Sequence, residues 1–322
     1  FNNSVGLDLS YYKTNTTNQI LSVETPTQTG YTRAWINGGD VQNKGYEVTL
    51  SVIPVKTANF SWEAKVNWST NKNEVISLGG ADRISLGSFQ GVGYVAEVGK
   101  PIGQLIGSGF TYLNGEKVIR SNGRYLQTAG ATIGDINPDW IGGLNNVITY
   151  KNFSLNFLID VKKGGDVYSL DQRFGHTTGI YESTVSNNHL GNPQRNPIAS
   201  GGGILLSGVK EDGTPNDKVV SVEGANGYSF YNSMPEQQYV YDASYVKLRE
   251  LGLSYRLPSK FLAKTFITNM ILSVNGSNLW IIHKNLPYAD PEAGLSSGNL
   301  QGFQTGVLPT SKEYNFNMKV QF

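Results

Sequence analysis

EYNFNMKVQF (residues 313–322) alternates without a break. Tyr314, Phe316, Met318, Val320 and Phe322 are apolar, and Asn315, Asn317, Lys319 and Gln321 between them are polar. A period of two is that of an extended strand, so the five apolar side chains share one face and the polar ones the other. One face wants an apolar medium and the other wants water. That leaves two settings open: a packed core, as in a β-sandwich, or lipid, as on the outside of a membrane barrel.

The same period recurs in VGLDLSYY (5–12), GYEVTLSV (45–52), SWEAKVNWS (61–69), FSLNFLIDVK (153–162), LRELGLSYRL (248–257) and MILSVNGS (270–277), with Leu158 as an exception in one polar row. These runs approach the ~10 residues of a tilted membrane-spanning strand, against ~5–6 for an ordinary strand. The links between them sort by length. IPVKTANF (53–60), YKN (150–152) and LPSKFLAKTF (257–266) are short, while 13–40, 72–138, 166–240 and 283–310 are long. Short and long alternate as periplasmic turns and extracellular loops do in outer-membrane barrels, and a sandwich has no reason to sort its loops this way.

With residue 322 placed on the periplasmic side, the expected spanning strands are 4–13, 43–54, 59–71, 139–150, 153–164, 242–257, 268–281 and 311–322. PIGQLIGSGFTYL (101–113) then has to lie within an extracellular loop or pair with a segment such as GRYLQT (123–128), because a ninth crossing breaks the up-and-down parity. The start on Phe1, without an initiator Met or signal peptide, reads as a processed or truncated segment whose first strand needs an upstream neighbour.

Composition agrees. Only 16% of the 322 residues are charged and the formal net charge is +1, which gives no electrostatic footprint for nucleic acid. There are no cysteines, so disulfide scaffolds and thiolate metal sites are excluded. The 38 glycines and 18 tyrosines suit strands, turns and interfacial girdles, and no apolar run reaches the ~20 residues of a membrane-spanning helix.

The ordered series GLDLSYYKTNTTNQIL (6–21), WINGGDVQNKGYEVTL (35–50), FSWEAKVNWSTNKNEVISL (60–78), GKPIGQLIG (99–107), GDINPDWIGGLNNVITYKNFSLNFLIDVKKGGDVY (134–168), ASYVKLRELGLSYRLP (243–258) and NGSNLWIIHK (275–284) closely resembles the C-terminal part of the SusC/RagA family, TonB-dependent outer-membrane transporters of Bacteroidetes. The resemblance implies an all-β fold: a transmembrane antiparallel barrel of about 22 strands, of which residues 1–322 supply about the last eight, with long extracellular loops. It implies active import of an oligosaccharide or peptide across the outer membrane of a Gram-negative cell, without enzymatic chemistry. The implied partners are a SusD-like lipoprotein lid, TonB–ExbB–ExbD acting through a plug and N-terminal region absent from this sequence, and outer-membrane lipid. In such proteins a last strand closing on an aromatic is also the signal read by the barrel-assembly machinery, which gives Phe322 that role. Two other classes stay open: a SusC-like barrel serving as a structural or interaction subunit of a larger outer-membrane assembly, and a soluble lectin-like sandwich.

No catalytic motif appears. His176, His189 and His283 are scattered without metal-ligand spacing, and no cofactor is expected. Family members often carry a D-x-N-x-D-G run with the spacing of a calcium loop; here Asp135, Asn137 and Asp139 alternate without the following glycine, so a polar turn is the expectation and extracellular calcium the weaker reading. Asp290 and Glu292 of YADPEAG (288–294) are read as a turn next to Pro287 and Pro291 before a cation site. The loop aromatics Tyr168, Phe174, Tyr181, Tyr228, Phe230, Tyr231 and Phe303 are the candidates for ligand contact, with burial inside folded loops as the competing reading. Trp62, Trp68, Trp280, Tyr314, Phe316 and Phe322, with Trp35 and Trp140, are expected to anchor the barrel at the membrane interfaces. Glu63, Lys65, Asp160, Lys162, Glu250 and Arg256 are expected to line the lumen.

Overall fold

The computed structural model describes residues 4–24, 28, 30–31, 33–295, 298 and 301–322; Phe1 lies outside them. Along the chain, strands β1 (Val5–Glu24), β2 (Arg33–Lys56) and β3 (Phe60–Leu78) form two long hairpins. A loop region follows with β4 (Arg83–Phe89), β5 (Val92–Glu97), β6 (Gln104–Phe110), β7 (Tyr112–Leu113), β8 (Glu116–Ile119) and β9 (Gln127–Asp135). After β10 (Pro138–Tyr150) and β11 (Phe153–Gly164) comes a second loop region. It contains β12 (Asp166–Ser169), α1 (Leu170–Thr178), β13 (Ile204–Leu205), β14 (Val209–Lys210), β15 (Val219–Val220), α2 (Ala225–Asn232) and β16 (Val240–Asp242). The chain ends with β17 (Tyr245–Arg256), α3 (Ser259–Leu262), β18 (Asn269–Lys284), β19 (Phe303–Gln304) and β20 (Glu313–Gln321).

Eight of these strands make one antiparallel sheet in the order β1-β2-β3-β10-β11-β17-β18-β20, every neighbour in that order being the next crossing along the chain. Register decides what each face meets. On one face Leu7, Leu50, Val66, Leu144, Ile159, Leu248 and Trp280 stand opposite one another across seven strands. Nearer the short turns, Val55, Trp62, Ile148, Leu155, Leu253, Val274 and Phe316 form a second such row. The other face carries Asp8, Thr49, Asn67, Gly143, Asp160 and Lys247 in one row and Ser61, Thr149, Ser154, Ser254, Ser273 and Asn317 in another. A continuous apolar belt backed by a continuous polar wall is the arrangement of a lipid-facing, lumen-lined barrel, since a sandwich would need a second sheet over the apolar face. No helix among the described residues is long and apolar enough to cross a membrane.

All eight expected crossings are present, and PIGQLIGSGFTYL supplies β6, which pairs with β9 through Gly109 opposite Thr128 and Phe110 opposite Gln127, within the loop region. The expected loop at 13–40 requires correction. β1 runs on to Glu24 and β2 starts at Arg33, so this connection is mostly a paired ribbon standing beyond the belt. Trp35, opposite Ser22 on that ribbon and 75% exposed, is therefore far from any membrane interface. β3 likewise continues to Leu78, seven residues past the expected end. The strands outlast the alternation because a paired ribbon in water has no face that must be apolar.

Candidate functional site

The long connections fold together above the sheet. A hydrophobic core joins Val92, Tyr94, Leu105 and Ile133 from the first loop region, Tyr168, Leu170 and Tyr239 from the second, and Phe303 from the last. Polar contacts fix the same junction. The Ser108 amide donates to Glu236 Oε2 at 2.8 Å, and the Glu236 amide donates to Ser108 Oγ at 3.0 Å. The Phe110 amide donates to Gln237 Oε1 at 2.8 Å, and Arg173 reaches both the Gln90 carbonyl and the Tyr168 hydroxyl at 3.0 Å. Ser169 caps α1, its hydroxyl accepting from the Gln172 amide, and Gly179 closes the helix at φ 76°, where a glycine carries no steric cost.

The last loop is tied to the lumen wall by charge. Lys247, 3% exposed at its side chain, donates to Asp290 Oδ1 at 2.6 Å and also to Glu292. Arg249, at a bulge where β17 carries one residue more than β11, donates to Asp160 Oδ2 at 2.6 Å and to Glu292. Tyr245 donates to Glu292 at 2.9 Å, and Thr310 closes over Asp290 with a hydroxyl donated at 2.8 Å. Burial raises the Asp290 and Glu292 carboxyls, but hydrogen bonds from Lys247, the Glu292 amide and Thr310 at Asp290, and from Arg249, Lys247 and Tyr245 at Glu292, outweigh it and hold both below the usual carboxylate range. Of the residues expected on the lumen wall, Asp160 belongs to this cluster. Asp290 and Glu292 are thus bound by a lysine 43 and 45 positions away in sequence, and with Arg249 and Asp160 included three carboxylates share two cationic side chains. Lys247 and Arg249 escaped the sequence reading, although Lys247 stands in a lumen-facing position of YVKLRE.

The loop aromatics separate into two groups. Tyr168, Phe230 and Phe303 are fully buried, and as packing residues they present no face to a ligand. Phe174 and Tyr228 are exposed, while Tyr181 and Tyr231 are half-buried. Tyr228 and Tyr231 line one hollow between α1 and α2 with His176, Arg195 and Val222. Tyr181 instead stacks on Tyr288, ring centroids 4.6 Å apart and 9° from parallel. His176 is held inside this aromatic group: its Nδ1 meets the Gln172 carbonyl at 2.7 Å, its Nε2 the Ser183 hydroxyl at 3.1 Å, and its ring lies 5.2 Å from that of Tyr181. Burial pushes the nearby Tyr241 hydroxyl up to about 12, with Tyr181 adding to the effect, so that phenol stays protonated and neutral.

At Asp135, Asn137 and Asp139 the chain bonds to itself. Asn137 donates its amide nitrogen to Asp135 and its side-chain nitrogen to the Ile102 carbonyl, a polar turn that docks the run on the first loop region. Among the described residues no cluster of three His, Asp or Glu side chains is arranged to hold a metal. Of the expected anchors, Trp62 stands opposite Ile148, Trp68 opposite Val48 and Gly142, Trp280 opposite Leu248, and Tyr314 and Phe316 opposite Gly276 and Val274, all on the apolar face. Phe322 stacks on Phe266 of the long turn at 5.5 Å.

An apolar belt on one face, a polar wall on the other, links of two, three and twelve residues at one end and long folded loops at the other define a wall segment of an outer-membrane β-barrel. No family model matches the chain. It is 27% identical over its whole length to TonB-dependent receptor P26 of Formosa agariphila, of which it covers 33%. It is 28% identical over 73% of its length to the TonB-dependent receptor SusC of Bacteroides thetaiotaomicron, of which it covers 25%. Its fold matches the RagAB peptide transporter with a TM-score of 0.67 at 19% identity, over all of this chain and 34% of that one. The chain is a homologue of TonB-dependent receptors of the SusC/RagA type, resides in the outer membrane, and spans a quarter to about a third of the length of the curated relatives it matches.

Proposed function

We propose that these residues form the loop-bearing arc, about the last eight strands, of a TonB-dependent importer that takes up an oligosaccharide or a peptide. The observation that carries this reading is the unbroken apolar belt on a sheet whose extracellular loops pack into one body around shared side chains. A ligand would be captured between these loops and a SusD-like lipoprotein lid. Closure would follow, and then displacement of a plug driven by TonB, ExbB and ExbD, all supplied outside these residues. Of the candidate aromatics, Tyr228, Tyr231, Phe174 and Tyr181 have surface left to touch a sugar ring or an apolar peptide side chain. Insertion of the barrel would depend on the barrel-assembly machinery. No bond is made or broken in this scheme, so no cofactor takes part in it.

Support comes from the transporter relatives. The test is uptake by cells from which the whole receptor gene is deleted, over a panel of glycans and peptides. Loss of uptake of one class, restored by the intact gene, is expected. Normal uptake of every class, with the receptor co-purifying on export or biogenesis machinery and no lipoprotein, would instead make the chain a subunit of a structural assembly.

A further inference from the structure

Three lysines stand directly opposite one another on adjacent strands, Lys13 of β1 against Lys44 of β2, and Lys44 against Lys72 of β3. Like charges so placed repel, their Cβ atoms only about 5 Å apart, and the sheet would be more stable without the alignment. All three are exposed, and no carboxylate among the described residues pairs with any of them. Glu74, in the next row out opposite Gln42, makes no ion pair with Lys72. The side-chain period places the row on the lipid-facing side. Lys13 shares a face with Leu7, Leu9 and Tyr11, Lys44 with Tyr46 and Val48, and Lys72 with Trp68 and Thr70.

Height is as telling as direction. From Trp62 near the short turn to Lys72 is ten residues along β3, which at ~3.3 Å per residue and a tilt of ~40° climbs about 25 Å, the height of the apolar band of such barrels. Immediately below the lysines lies an interfacial layer, Tyr11 and Tyr46 with ring centroids 5.1 Å apart. The row therefore stands at the level of the outer-leaflet head groups. We propose that Lys13, Lys44 and Lys72 form a docking row for the phosphate groups of the phosphorylated glycolipid of the outer leaflet, lipopolysaccharide, each phosphate bridging two neighbouring ammoniums while the acyl chains lie along the belt of Leu9, Val48 and Trp68 below. The glycolipid would relieve the repulsion that the register builds in. This inference rests on the membrane orientation and is independent of what the receptor transports.

The test uses the full-length receptor carrying this chain, extracted from its own membrane. Glycolipid phosphate bound per protein is measured for the native receptor, for the triple variant K13Q/K44Q/K72Q, and for K56Q/K260Q at the opposite end of the sheet. A lysine beside an anionic membrane surface strengthens attraction roughly fivefold, so the triple variant is expected to retain about a hundredfold less in competition with zwitterionic lipid, and K56Q/K260Q as much as the native protein. Heat-modifiable gel mobility establishes that each variant is folded. In nanodiscs, phosphorylated glycolipid is expected to raise the native receptor's melting temperature, with enzymatically dephosphorylated glycolipid giving no rise. Equal glycolipid retention by the folded triple variant overturns the proposal, as does the same stabilisation by inorganic phosphate alone or by the dephosphorylated glycolipid.

Discussion

Lys247 has an ammonium removed almost wholly from water and two carboxylates to compensate it. Removing one member of such a cluster leaves the others buried and unpaired, a change that typically costs about 3–5 kcal/mol. Lys247→Met is expected to release the loop 285–312 from the wall while leaving the sheet intact. Limited proteolysis of the full receptor should then cut within that loop at protease levels that leave the native protein whole. The same cluster fixes a pH response. Asp290 and Glu292 are held below their usual range in the folded state, so their contribution is fully present above the unfolded values of about 4 and is lost as pH falls through the lower folded ones. Hydrogen-exchange protection of the amides around Asp290 and Glu292, measured against the intrinsic rate at each pH, should accordingly be unchanged from pH 7 to 5 and fall below about 4. The sequence shows the acidic turn and the lysine separately. Their meeting is a contact between residues 43 apart, brought about by a loop whose path follows no local period.

Single strands were legible where lipid demands alternation and not beyond it. GYEVTLSV shows which residues face out, and the structure places Leu50 between Leu7 and Val66 on the belt and Thr49 between Asp8 and Asn67 on the wall. An Arg at Leu50 is expected to cost about 2–4 kcal/mol and lower the level of folded receptor in the membrane, while Thr49→Arg, one residue away and next to Asp8, should be inserted normally. Immunoblots of unheated membrane fractions distinguish the two. By contrast TNTTNQ (14–19), polar on both faces, was indistinguishable from a loop although most of it is paired with β2. Gly45 marks another feature that pattern alone conceals. Tyr12 lies across it to donate to Asn71 at 3.1 Å, and a Cβ at residue 45 would overlap both that ring and the Thr70 carbonyl oxygen. Gly45→Val is expected to splay β1 from β2 at a cost of about 1–3 kcal/mol, read as a lower temperature of heat modification.

For the molecule as a whole, the sheet and the loops are two systems with different bonds. The eight strands are held by backbone ladders, and β1 and β20 each have one neighbour and one free edge, which in lipid demands strands from the remainder of a barrel. The loops are held by side chains, with Glu236 at the junction of two of them. Glu236→Ala removes the acceptor for the Ser108 amide and the anion beside Arg173, and is expected to loosen 79–137 and 165–244 together by about 1–3 kcal/mol, visible as faster hydrogen exchange in both while the sheet is unchanged. The short turns have a mechanical meaning of their own. With 57–59 and 151–152 as two of the three links on the inner side, and only 257–268 longer, a protein pulling from the periplasm finds almost no handle on this arc. Its ladders run around the circumference, across the strands, so a load applied along the barrel axis shears many bonds at once and cannot peel them one by one. Such an arc behaves as a fixed wall, stiff to a load along its axis.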